Sequence, residues 1–189
     1  MTLRPLSTLA TLALFAALPL AARAADGLSY NYVEGGYVAT NTDPADSDGW
    51  GVNGSAALSD NFHLFGGYAK QDLKDFDANF DQWRFGLGYN HAIAPNADLL
   101  ARVAYENVDA GGGISSDGYS VEAGVRGALA TSFEGYALAG YEDGNDVDGD
   151  FYGRLGATAK FNPNWGVTAE VKLVQGGDNQ WFVGPRFTW

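Results

Sequence analysis

The chain has 189 residues and a formal net charge of −12, with 23 acids against 11 Lys and Arg, 26 Gly, 14% aromatics and no Cys. Phosphate binding needs clustered Lys and Arg, so nucleic acid is excluded as a partner. A disordered acidic chain would be poor in aromatics, and without Cys there is no disulfide framework.

Residues 1–24 read as an export signal. Arg4 supplies a positive start, 8–20 is mostly Leu and Ala without charge, and Ala22-Arg23-Ala24 forms an A-x-A cleavage motif. The mature chain is then expected to begin at Ala25 and to form one domain over 25–189. Cleavage takes away Arg4 and Arg23 and no acid, so the mature chain is more acidic still. The apolar run is too short for a membrane helix. No later segment offers such a run, so any membrane span has to be made of strands.

Beyond the signal the residues alternate, apolar and polar, with the period of β-strands. Strands are predicted over 28–41, 49–59, 62–71, 80–91, 98–108, 119–129, 133–142, 151–161 and 165–174, and a tenth over 180–189. Trp83, Phe85, Leu87 and Tyr89 share one face of the fourth, and Tyr119, Val121, Ala123 and Val125 one face of the sixth. Strands near ten residues match what a tilted strand needs to cross a bilayer. Four tight turns share one pattern, an apolar residue, three turn formers and then usually an aromatic: 58–62, 93–97, 129–133 and 161–165. They recur about every 35 residues, one hairpin plus one loop each, as in an up-and-down barrel. The fold class is therefore an all-β, up-and-down antiparallel transmembrane β-barrel of ten strands. Eight is the rival count, because the first and seventh patterns are the faintest.

The charges distinguish the faces. With the aromatic parity outward, Arg84, Arg102, Arg126, Arg154, Lys160, Lys172 and Arg186 all point inward, and Glu106, Glu122 and Glu170 join them. Glu34 and Glu134 follow the same parity. A lipid-facing Arg or Lys near the midplane costs about 2–4 kcal/mol in such barrels. The interior polar network is accordingly expected to comprise Glu34, Arg84, Arg102, Glu122, Arg126, Arg154, Glu170, Lys172 and Arg186. A lone charge in a narrow barrel is poorly solvated. Glu34, Glu170, Lys172 and Arg186 are therefore expected to gather at the seam where the last strand meets the first. In the last strand Trp181, Val183, Pro185, Phe187 and Trp189 share the outward face. Trp181, Phe187 and Trp189 are the residues expected to serve closure and assembly, with their aromatics at the membrane interface.

Several stretches resemble a known family: 25–37 (ADGLSYNYVEGGY), 81–89 (DQWRFGLGY), 99–106 (LLARVAYE), 160–166 (KFNPNWG) and 180–189. The mature chain is similar throughout to the small outer-membrane barrel of xanthomonads and their relatives, once described as a secreted activator of plant immunity and a quorum-sensing factor. The resemblance implies an outer-membrane, vesicle-shed protein linked to biofilm, motility and virulence. It also implies a terminal aromatic strand read by the barrel-assembly machinery.

No enzyme is expected. Barrel enzymes of the outer membrane use a His with an acid or Ser, and a general base needs such a partner within reach. His63 and His91 both fall beside tight turns, with no motif marking a partner. The longer loops are acidic: Asp43, Asp46 and Asp48; Asp72, Asp75 and Asp77; Asp143, Asp146, Asp148 and Asp150. Gly144 and Leu155 occupy the first and twelfth positions of the one stretch similar to a calcium loop, so that pattern fails at both ends. No resident metal or cofactor is expected. The partners expected are outer-membrane lipid, lipopolysaccharide and the assembly machinery, with weak divalent-cation bridging at the acidic loops, and the barrel is expected to be a monomer. Two functions stand against each other: an interaction barrel displaying acidic loops, and a narrow channel for ions or small solutes. Eight strands leave a lumen just filled by side chains and porins use about sixteen, which favours the first.

Overall fold

The computed structural model describes residues 25, 27–42, 45–74, 78–145 and 149–189. The export signal expected over 1–24 lies outside the described residues, as do Asp43, Asp75, Asp77, Asp146 and Asp148 of the acidic loops.

The alternating segments form ten antiparallel strands: β1 (Tyr32–Asn41), β2 (Ser47–Ala57), β3 (Phe62–Leu73), β4 (Asn79–Ala94), β5 (Ala97–Asp109), β6 (Ser115–Ala130), β7 (Phe133–Gly144), β8 (Asp150–Lys160), β9 (Trp165–Val174) and β10 (Asn179–Thr188). Each pairs with its sequence neighbours, and β10 pairs with β1, so the sheet closes on itself. The count is ten, and the faint first and seventh segments are both strands. Closure leaves no edge with unpaired backbone groups, the condition for a sheet in hydrocarbon.

Several boundaries differ from those expected. β1 starts at Tyr32 rather than at residue 28, because the chain bends at Tyr30 and turns into the barrel mouth. β4 and β6 each run 16 residues. The connection left between the strands expected over 98–108 and 119–129 shrinks to 110–114, turning on Gly111, Gly112 and Gly113 at φ 75, 62 and 85. The residues added at the loop ends of β5 and β6, among them Asp109, Ser115, Ser116 and Asp117, are polar hairpin extensions. Asn107 Nδ2 donates to Asp117 Oδ1 at 2.8 Å, Tyr105 Oη donates to the same carboxylate oxygen, and Tyr68 Oη donates to Asp81 Oδ1 at 2.8 Å.

The seam has its own geometry. The β1–β10 ladder pairs Glu34 with Arg186 and Tyr37 with Val183 but skips the residues between. Pro185 lies in that gap and has no N–H to give. A Cβ at Gly36 would lie 2.1 Å from the Val183 carbonyl oxygen, and one at Gly184 would lie 2.1 Å from that of Gly35. Two glycines facing each other let the backbones approach where the ladder is interrupted.

The faces separate as the parity requires. Tyr37, Trp50, Trp83, Phe85, Val103, Val125, Leu155, Trp165, Trp181 and Val183 are exposed on the outside. Glu34, Glu122, Arg126, Glu134, Arg154 and Arg186 are buried inside. A soluble protein does not expose an apolar band of that extent. A barrel in lipid requires one.

Candidate functional site

The lumen is the site, because it gathers the charges, and its side chains form layers set by strand register. At mid-height Glu122 of β6 is the centre. Arg84 Nη2, Arg102 Nη1 and Arg154 Nε lie 3.2, 3.3 and 3.3 Å from its carboxylate oxygens. Tyr152 Oη donates to Glu122 Oε2 at 2.9 Å. Arg84 also reaches Glu106 at 3.1 Å, and Arg154 also donates to Glu170, which accepts from Tyr136 Oη as well. Lys172 pairs with Glu142. The three arginines are held over aromatic faces: Arg84 and Arg102 each stand 5.1 Å from the Phe65 ring centroid, and Arg154 stands 5.6 Å from that of Tyr152. A cation so placed gains from the ring quadrupole and from desolvation together.

Nearer the tight turns a second layer centres on Glu134 of β7. Arg126 Nη2 and Arg186 Nη1 both stand 2.8 Å from Glu134 Oε1, and Lys160 Nζ stands 3.1 Å from Oε2. Arg186 Nε donates to Glu34 Oε2 at 2.9 Å, and its guanidinium lies 3.8 Å above the Tyr32 ring. Thr158 accepts from Arg186 at 3.1 Å and is bonded to Thr168 at 2.8 Å. Beyond the mid-height layer, toward the long loops, amides and hydroxyls line the wall of β1, β3, β4 and β10. Gln180 Nε2 donates to Gln82 Oε1 at 2.9 Å and to Thr40 Oγ1 at 3.0 Å, and Gln71 Nε2 donates to Gln82 Oε1 at 3.2 Å.

All nine residues expected in the interior network lie in the lumen, and they divide between the two layers. The seam differs from expectation. Arg186 keeps Glu34, but Glu170 is paired with Arg154, and Lys172 with Glu142. The cause is register: Arg186 stands opposite Gly166, while Glu170 stands opposite Phe182, four residues along β10. Sequence parity gives the face of each side chain but not the stagger between strands, and stagger chooses the partner. Of the residues named for closure, Phe187 pairs with Val33 and Trp181 with Ala39 across the seam. Trp189 stacks near Phe187 at 6.3 Å, and its backbone N–H donates to Asn31 O at 3.2 Å.

Sequence reasoning missed Tyr136, Tyr152, Glu142 and Asp98. The signal was present for each, since each shares parity with an inward charge on its own strand. His63 is fully buried, with Nδ1 3.4 Å from Asn90 Oδ1, while His91 faces out with Nδ1 3.4 Å from Tyr89 Oη. Neither has a carboxylate partner among the described residues.

No family model and no curated protein matches the chain. Among solved structures it is similar to the KdgM porin in complex with disordered oligogalacturonate, at 10% identity over 84% of this chain and 98% of that one, TM-score 0.47. It is similar to a de novo designed transmembrane β-barrel at 17% identity over 86% and 98% of the two chains, TM-score 0.44. The attachment invasion locus protein Ail of Yersinia pestis is similar at 11% identity over 85% and 100%, TM-score 0.41. The class rests on the molecule's own faces: a closed sheet, apolar outside and charged inside. It is a small outer-membrane β-barrel, resident in the outer membrane.

Proposed function

We propose that the protein is a non-enzymatic interaction barrel that displays acidic loops at the cell surface and keeps its lumen shut. The observation that supports this reading is the convergence of Arg84, Arg102 and Arg154 on Glu122 across the middle of the lumen. Side chains tied in this way fill the space that a solute would need, and ten strands lie close to the width that side chains can fill. By the rule that short turns face the periplasm, the β1–β2, β3–β4, β5–β6, β7–β8 and β9–β10 ends of the barrel face outward. Tyr–Asp pairs such as Tyr119 to Asp143, 3.3 Å, lie toward that rim. Links to biofilm, motility, virulence and vesicles follow from the family resemblance.

The test is complementation of a deletion strain. Barrels with the outward loops shortened to tight turns should reach the surface normally yet fail to restore surface attachment. Barrels with lumen substitutions that still fold should restore it. Restoration by the loop-shortened forms, with loss in the lumen variants, would overturn the reading in favour of a channel.

A further inference from the structure

Ala25 and residues 27–31, ahead of β1, fold back into the barrel mouth. Ala25 is buried, and its nitrogen donates to Asp98 Oδ1 at 2.8 Å. Tyr30 Oη donates to the other oxygen, Asp98 Oδ2, at 2.8 Å. The Tyr30 ring stacks on His63, with centroids 4.4 Å apart and planes 21° from parallel, and Arg126 lies 4.8 Å from its other side. Leu100 and Leu138 complete the socket, and Lys160 Nζ fastens the segment at Gly27 O, 2.8 Å away.

Asp98 differs from the other acids of the lumen. It is fully buried and stands opposite Arg126 in the β5–β6 ladder. Arg126 nevertheless gives Nη2 to Glu134, and its Nη1 is buried without a hydrogen-bond partner. Among the described residues no side-chain cation stands within ion-pair distance of Asp98. A carboxylate buried on a hydroxyl and one backbone N–H is poorly compensated.

Cleavage of the export signal would supply what is lacking. Hydrolysis of the Ala24–Ala25 peptide bond takes up one water, leaving a carboxylate on Ala24 and a protonated amine on Ala25. The nitrogen already 2.8 Å from Asp98 becomes a cation. We propose that the periplasmic mouth is a binding site for the chain's own processed amino terminus. The α-ammonium of Ala25 pairs with Asp98, Tyr30 fills the aromatic socket, and residues 27–31 are held across the mouth as a plug. The ligand class is an N-terminal α-ammonium followed five residues later by an aromatic hydroxyl. This rests on cleavage after Ala24, and it adds a second closure to the filled lumen.

The test uses the refolded chain 25–189, beginning at Ala25, in lipid vesicles and treated with an amine-acylating reagent at neutral pH. Mass spectrometry reads the α-amine, and Lys70 and Lys74 serve as exposed controls. The α-amine of the native barrel should react about tenfold more slowly than in the Asp98→Asn barrel or the unfolded chain, the protection given by a site that must open locally to react. A second form with Gly-Ser ahead of Ala25 leaves every barrel residue in place. It should have a freely reactive α-amine and a protease-sensitive 25–31 segment, so the comparison survives if Asp98→Asn fails to fold. Equal reactivity in the native and extended forms overturns the proposal, as does a mature protein from outer membranes that begins at another residue. Conducting barrels with a protected α-amine would sink the shut-lumen reading and leave this site standing.

Discussion

Arg186 and Glu34 meet across the seam of the barrel, Nε to Oε2 at 2.9 Å, although 152 positions separate them in the chain. They are cross-strand partners on the inward face of β10 and β1, the two strands that meet only when the sheet closes. The pair therefore forms at closure, and it forms out of water, next to Glu134 and Thr158.

Removing Arg186 affects its two acids unequally. Glu134 keeps Arg126 and Lys160, whereas Glu34 is left with Asn53 Nδ2 at 3.4 Å. Arg186→Ala should cost about 3–5 kcal/mol, the usual loss when one partner of a buried pair goes. A double-mutant cycle with Glu34→Ala, read by urea unfolding in vesicles, should show a coupling of about 1–3 kcal/mol. The same cycle between Arg186 and Glu170, which share no hydrogen-bond or ion-pair partner, should be additive within about 0.5 kcal/mol. Coupling to Glu170 as large as that to Glu34 would contradict the register.

Glu122→Ala removes the centre of the mid-height layer. Arg84 keeps Glu106 and Arg154 keeps Glu170, but Arg102 loses its carboxylate. The variant should be less stable by about 3–5 kcal/mol and should show anion-selective leakage, because the mid-height layer then carries excess positive charge. Adding Arg102→Ala should recover part of the stability. Cation selectivity, measured as a reversal potential under a salt gradient, would argue that the arginines do not line the path.

Glycine substitutions separate seam from wall. An added Cβ at Gly184 would lie 2.1 Å from the Gly35 oxygen, whereas one at Gly153 meets nothing within 4 Å. Gly184→Ala should lower the fraction of protein that migrates as a compact band on unheated gels and slow refolding. Gly153→Ala should fold as well as the parent, with a change within about 1 kcal/mol. Equal behaviour of the two would mean that the close approach at the seam is not needed for closure.

The strand count, the outward aromatic band and the inward parity of Arg84, Arg102, Arg126, Arg154 and Arg186 were legible because lipid outside and charge inside impose a period of two. What was not legible lies where that period carries no information. The hairpin extensions around Asn107 and Asp117 stand above the lipid, where outward residues need not be apolar, so alternation fades while pairing continues. The partner of each interior charge depends on stagger, which is why Glu170 was assigned to Arg186 and belongs to Arg154. Tyr30 looked like one more strand residue, and its place against His63 and Asp98 follows from a bend that no local pattern announces.

The central claim is that the lumen is shut by its own side chains. Single-channel recording of the refolded 25–189 barrel in a planar bilayer tests it most directly. The account predicts a flat baseline for the parent protein and discrete steps for Glu122→Ala under the same voltage and salt. Stable, ohmic steps from the parent barrel would contradict it and make the protein a narrow channel.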